Sequence, residues 1–279
     1  MKRGPYKGFC SLFIVLLIVG SASFVIMVNT GVVSKAYRGP KEVYSGIDSR
    51  KPDKPGKPNG GTPNKPDEPQ PDPSVDKWAV VVGISDYRGR SNDLQYCDDD
   101  ARDWKNFLTS QGYQVKTLID RKATNRKIEA EIDNLLALED GNDYIVFTYS
   151  GHGTSAGGSS IIPYDEIYMS SGFLDSKFNN ADSQHIYFTF DACQIGGMQK
   201  LVETGRVGAF ASNSQHSYDG SSSMRNGVFT YYQMEGWNIY NNFEENGNYA
   251  VTNMENWASN YGIIVDPFVK DMYDGSMTP

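Results

Sequence analysis

The sequence predicts an α/β fold in which a mainly parallel sheet is sandwiched between helices, and three observations carry that expectation. Between residues 76 and 279, short apolar runs alternate with stretches of helical periodicity. The first run, Trp78-Ala79-Val80-Val81-Val82, is uninterrupted, as in a strand buried on both faces. Later runs lead into Ser-Gly-His-Gly and Asp-Ala-Cys segments before the next helix, and such strand–helix order gives parallel pairing.

Ahead of this region lie two segments of different character. Phe9 to Val28 is twenty residues without a charge, enough at about 1.5 Å per residue to cross a hydrocarbon core about 30 Å thick. Lys2, Arg3 and Lys7 precede it, so the N-terminus is expected to stay in the cytoplasm and the rest of the chain to cross. Residues 1–30 therefore read as a signal anchor or, through Ser21-Ala22-Ser23, a cleaved signal peptide. The corresponding location is membrane-anchored with an extracytoplasmic domain, or secreted. Residues 31–75 read as a spacer, because nine of the thirteen prolines fall within 39–75 with almost no apolar side chains to repay the entropy of folding.

Charge narrows the partners. Residues 1–75 hold eleven Lys/Arg against six Asp/Glu, which leaves 15 against 28 for residues 76–279. A domain that acidic excludes nucleic acid wrapping and favours basic partners. Three cysteines (10, 97, 193) and three separated histidines (152, 185, 216) support neither a disulfide framework nor a Cys/His zinc site.

The elements follow in order. Lys77 to Tyr87 contains the first strand, and Asp98 to Leu108 places Ala101, Trp104, Phe107 and Leu108 on one helical face, with acidic residues in its first turn and Gln111-Gly112 at its end. Tyr113 to Ile119 is the second strand, and Ile128, Ile132, Leu135 and Leu136 mark the second helix. Strands are expected over Tyr144 to Tyr149, His185 to Phe190 and Val207 to Ala211, a last helix around Glu255 to Tyr261, and an edge strand near Ile263 to Val269.

In such sheets ligands bind at the carboxyl ends of the strands. His152 and Cys193 each stand just past one of those ends. Taken singly, a buried Cys is an inert small hydrophobe and a His a hydrogen-bonded fold residue; together at one sheet edge they suit nucleophilic catalysis, with the imidazole drawing off the thiol proton. The backbone N–H groups of Gly153 and Cys193 are the candidate oxyanion donors. A dinucleotide fold is disfavoured, because Gly83-Ile84-Ser85 lacks the GxGxxG spacing.

Four ordered blocks then match a known pattern: WAVVVGISDY at 78–87, Tyr149 to Gly153, Phe190 to Gly196, and Gly227 to Tyr231. Over about residues 77–236 the chain resembles the caspase-fold cysteine peptidases (peptidase C14, clan CD), above all their metacaspase and orthocaspase branch. The resemblance implies a six-stranded caspase-haemoglobinase sheet, His152 as general base, Cys193 as nucleophile and an acyl-thioester intermediate. Relatives that cleave after Asp carry Gln two residues before the nucleophile, where this chain has Asp191. Leu94 to Ala101 resembles the metacaspase segment that lines the primary specificity pocket. The implied substrate-binding residues are thus Cys97, Asp100, Ser150 and Asp191, suited to protein or peptide substrates with Arg or Lys before the scissile bond.

Other family features transfer less fully. No cofactor is required for the dyad, and calcium is the candidate activator through Asp165 and Asp175. Ser176 breaks the usual paired acidic step, and Lys200 stands where a further carboxylate is expected. The residue after the nucleophile is Gln194 instead of the common His. Lys200 and Arg206, after Cys193, offer basic sites for self-cleavage. Ser212 to His216 is expected to form a groove wall that pairs with extended substrate, and His185 to be structural. The alternative from another class is a non-catalytic caspase-like interaction module at the outer membrane face.

Overall fold

The computed structural model describes residues 74–279; the expected anchor (1–30) and all but the end of the expected spacer lie outside the described residues. Among the described residues no helix is long and apolar enough to cross a membrane. The element order is β1 (Lys77–Gly83), α1 (Cys97–Ser110), β2 (Gln114–Ile119), α2 (Asn125–Leu136) and β3 (Tyr144–Ser150). Three short strands follow, β4 (Gly153–Thr154), β5 (Ser160–Ile161) and β6 (Met169–Ser170), then α3 (Ser171–Phe178) and β7 (Ile186–Asp191). The chain closes with β8 (Arg206–Phe210), α4 (Val228–Gly236), α5 (Phe243–Tyr261) and β9 (Phe268–Asp271).

The main sheet has six strands in the order β2-β1-β3-β7-β8-β9, all parallel except β9. Its side chains alternate between two cores, as the period of a strand requires. Val80, Val82, Phe147 and Phe190 pack with Ile128 and Ile132 of α2 and Leu174 and Phe178 of α3. Ala79, Val81, Val146 and Tyr187 face the other way, toward Trp104 of α1, Phe229 of α4 and Phe243 and Trp257 of α5. The mainly parallel sheet sandwiched between helices is therefore present, and both faces are covered, which is why its strands read as continuous apolar runs.

The C-terminal third departs from expectation. The last helix begins at Phe243, twelve residues before the turn that the sequence suggested. Asn242 caps it, accepting the Glu245 N–H at 2.8 Å. Its Asn- and Gly-rich first half is poor in helix propensity, but Phe243, Ala250, Met254 and Trp257 bury one face against the sheet. Tertiary burial outweighs propensity there. The edge strand lies over Phe268–Asp271 and pairs antiparallel with β8, a few residues later than expected.

The chain steps from β1 to β2 on one side and returns to β3 on the other. The crevice at the carboxyl ends of β1 and β3 is the place where such sheets bind ligands.

Candidate active site

β3 and β7 lie side by side in parallel with Ser150 opposite Asp191. Gly151 donates its N–H to the Asp191 carbonyl at 3.2 Å, so the alignment continues past the last ladder pair. His152 and Cys193 each follow by two residues, and equal spacing from a paired register brings them to one edge of the sheet. Gly153 lies against the backbone of Cys193: a β-carbon there would collide with the Cys193 carbonyl oxygen, so only glycine fits.

The His152 ring is oriented from behind. Nε2 stands 2.7 Å from the Asn92 carbonyl oxygen. A carbonyl only accepts, so Nε2 carries the proton and Nδ1 keeps the lone pair that a base needs. The backbone of His152 is clamped by two phenols, its N–H donating to Tyr87 Oη at 2.8 Å and its carbonyl accepting from Tyr149 Oη at 2.8 Å. Burial, then the neighbouring Tyr149, pushes the Tyr87 phenol well up, and burial does the same to Tyr149, so both remain donors. Tyr87→Phe removes the phenol oxygen that accepts the buried His152 N–H; we expect a loss of about 1–3 kcal/mol in unfolding free energy and a fall in kcat of about 10- to 100-fold. Denaturant unfolding and peptide hydrolysis measure the two effects.

Cys193 is fully buried. Its Sγ accepts the Ser217 N–H at 3.4 Å and lies 3.8 Å from the Ser217 carbonyl oxygen. Ser217 also donates its hydroxyl to Asp191 Oδ1 at 2.5 Å, tying the nucleophile candidate to the acidic pocket.

That pocket brings together the four residues assigned to it. Ser150 Oγ donates to Asp100 Oδ2 at 2.5 Å, and the thiol of Cys97 lies within the field of Asp219, Asp100 and Asp191. The pocket is closed by the chain itself. Gly227 donates its N–H to Asp100 Oδ1 at 2.9 Å, while Thr230 gives Asp191 Oδ2 its N–H at 3.0 Å and its hydroxyl at 2.9 Å. A β-carbon on Gly227 would collide with Asp191 Oδ2. No room for a water molecule remains between Asp100, Ser150, Asp191 and Thr230.

Burial, then the charge of Asp191, raises the Asp100 carboxyl well above the usual range. Burial also raises Asp191, against the pull of the Ser217 and Thr230 donors. Burial, followed by the charges of Asp219, Asp100 and Asp191, raises the Cys97 thiol, so Cys97 stays neutral. Both described cysteines are free thiols.

Sequence reasoning missed several participants. Asp219, only 1% exposed, accepts the Gln95 N–H at 3.2 Å and forms a bridge with Gly227. Ser217 and the Asn92 carbonyl carry no local signal, since one is a common residue and the other is backbone. Gly227 and Thr230 fall inside a matched block, but the pattern does not say that they cover the acids.

The remaining assignments divide. Asp165 accepts the Asn125 N–H at 2.9 Å and so caps α2, while Asp175 on α3 faces the Lys200 ammonium at 3.7 Å. Calcium takes six to eight oxygens, yet among the described residues no group of three or more His, Cys, Asp or Glu is placed to hold a metal. Asp165 and Asp175 each hold a protein partner instead. Arg206 is not an accessible cleavage site: it opens β8, is buried, and its guanidinium donates to the Leu201 and Phe178 carbonyls at 2.9 and 3.1 Å. Lys200 is exposed on a 3-10 turn. His185 is structural, stacked on Tyr144 with Nδ1 2.9 Å from Tyr273 Oη.

The caspase-domain family model, peptidase C14, matches residues 76–254. Metacaspase-3 of Arabidopsis thaliana is 31% identical over 183 residues, covering 57% of this chain and 49% of that protein. Metacaspase-1 of Meyerozyma guilliermondii is 28% identical over 145 residues, 43% of this chain and 35% of that one. The chain thus spans about a third to a half of the curated relatives it matches. A Geobacter sulfurreducens protein of known crystal structure shares the fold at 14% identity, with a TM-score of 0.57 over 73% of this chain and 97% of its own. A model match across most of the described residues, on the same sheet that carries the Cys and His, leaves one assignment: the chain belongs to the caspase-domain family of peptidases.

Proposed function

We propose that residues 76–279 are a cysteine endopeptidase that cleaves peptide bonds after Arg or Lys. The observation that carries the reading is the β3/β7 register, in which Ser150 pairs with Asp191 and His152 and Cys193 follow at equal spacing. His152 Nδ1 takes the Cys193 proton, and the thiolate attacks the scissile carbonyl. The N–H groups of Gly153 and Cys193 receive the developing oxyanion. His152 then protonates the leaving amine, an acyl-thioester remains, and a water activated by the same imidazole releases the new carboxylate.

Selectivity comes from Asp100 and Asp191, which offer a guanidinium or ammonium two carboxylates and repel an acidic side chain. Since Gly227 and Thr230 hold those oxygens in the resting molecule, it is a latent form, and a basic substrate side chain must displace the Gly227 segment. The leader and spacer would hold this domain on the outer face of a membrane, or release it if the leader is cut.

The raised carboxyls give a pH dependence. A carboxyl whose folded value is raised stabilises the closed form at low pH, and that contribution is lost as pH rises through the raised value. A bound guanidinium favours the ionised pair, so binding expels a proton. The inhibition constant of agmatine should therefore fall as pH rises from acid to neutral and then level off; a constant value across that range would contradict the assignment.

The direct test is hydrolysis of matched fluorogenic peptides ending in Arg, Lys or Asp, under reducing conditions, with and without calcium. Cleavage after Arg and Lys alone is the expected result, and the calcium arm reports whether Asp165 and Asp175 contribute. Cleavage only after Asp, or none by folded protein, would overturn the specificity or the activity respectively.

A further inference from the structure

One half-exposed carboxylate outside the dyad and pocket is committed entirely to a loop beside the nucleophile. Asp266, between α5 and β9, accepts the N–H groups of Asn213 and Gln215 on Oδ1 at 2.9 and 3.0 Å. Its Oδ2 accepts both the N–H and the hydroxyl of Ser214 at 2.8 Å each. Three successive backbone donors converge on one side chain, an arrangement that an ionised carboxylate holds more strongly than any neutral acceptor. The loop passes this fixation on to the catalytic segment. Asn213 and Gln215 offer their carbonyls to the N–H groups of Gly196 and Gln194 at 2.9 and 3.0 Å. Gln194, the residue after the nucleophile, sits at φ +54°, a strained value for a side chain of its kind. Its carbonyl is held from the other side by Ser159 Oγ at 2.9 Å. Two residues beyond Gln215, Ser217 gives its N–H to Cys193 Sγ.

We infer that Asp266 is a positioning residue for substrate binding: it fixes residues 213–216 as a preformed edge that pairs with the peptide on the acyl side of the scissile bond. The bonding pattern indicates which groups do the pairing. The N–H groups of 213–215 go to Asp266 and the carbonyls of 213 and 215 go to the nucleophile segment. Among the described residues, the Ser214 carbonyl and the His216 N–H and carbonyl take no backbone partner. Those groups alternate along the loop as the free edge of a strand does, and an extended peptide adds to such an edge by main-chain hydrogen bonds.

The kinetic arm of the test rests on the peptidase reading; the exchange arm does not. Asp266→Ala is compared with the unaltered protein on a tetrapeptide ending in Arg and on a blocked single-residue Arg amide, with rates normalised to titrated Cys193. We expect the tetrapeptide to lose about tenfold in kcat/KM, chiefly through KM, while the single-residue substrate is unchanged. Asp266→Asn, which keeps one accepting oxygen, should recover part of the loss. A merely structural role would lower the active fraction and leave both normalised rates alike, and equal losses on both substrates would likewise overturn the proposal. Independently of activity, amide hydrogen exchange of Ser214 and Gln215 should quicken in Asp266→Ala while that of β3 and β7 does not. Unchanged exchange in the loop refutes the inference even if no peptide is cleaved.

Discussion

Replacing Cys193 by Ala should abolish peptide hydrolysis, with a loss in kcat of about five orders of magnitude or more, while the folded protein persists. The thiol's contacts with Ser217 are long, 3.4 and 3.8 Å, so losing them costs about 1 kcal/mol of stability. His152→Ala should lose activity to a similar extent, and the double variant should be no worse than either single one. Groups that act on one proton transfer fail together, whereas independent contributions would multiply. Activity surviving in Cys193→Ala, or additive losses in the double variant, would remove the dyad, whereas no hydrolysis by the folded unaltered protein would favour the interaction-module reading.

The second large effect has opposite signs in activity and stability. Asp100→Asn keeps the shape of the pocket: its oxygen still accepts the Gly227 N–H, and its amide can donate to Ser150, whose hydroxyl turns to accept. What is lost is one of the two carboxylates proposed to face a substrate cation. We expect kcat/KM for Arg peptides to fall by about two to three orders of magnitude. Burial and Asp191 hold the Asp100 carboxyl well above its ordinary value. At neutral pH its ionisation therefore works against the closed fold, and the amide removes that opposition. The melting temperature should rise at neutral pH and converge with that of the unaltered protein in acid, where the carboxyl is protonated in both states. An Arg preference that survives in this variant would move the specificity elsewhere, to Asp219 first, since that acid is buried beside Gly227.

The sequence by itself determined the parallel core and where the candidate residues fall along it. Continuous runs such as Val80-Val81-Val82, the helical spacing of Ile128, Ile132 and Leu135, and the placement of His152 and Cys193 past strand ends are local features. Each is set by a period of two or 3.6 residues, and a reader of the chain needs nothing more. Asp100 and Asp191 were legible as a pair through the resemblance, although they are distant in sequence.

Only the tertiary structure decided how those parts are used. The Asn- and Gly-rich start of α5 is helical because the sheet buries one of its faces, and Arg206 is sequestered because β8 begins there. The covering of both pocket acids by Gly227 and Thr230, the Asn92 carbonyl behind His152, and the grip of Asp266 on residues 213–215 join segments far apart in the chain. They depend on backbone groups whose partners no side-chain pattern announces. A backbone N–H or carbonyl is the same at every position but proline, so its role is fixed only when packing brings its partner within reach.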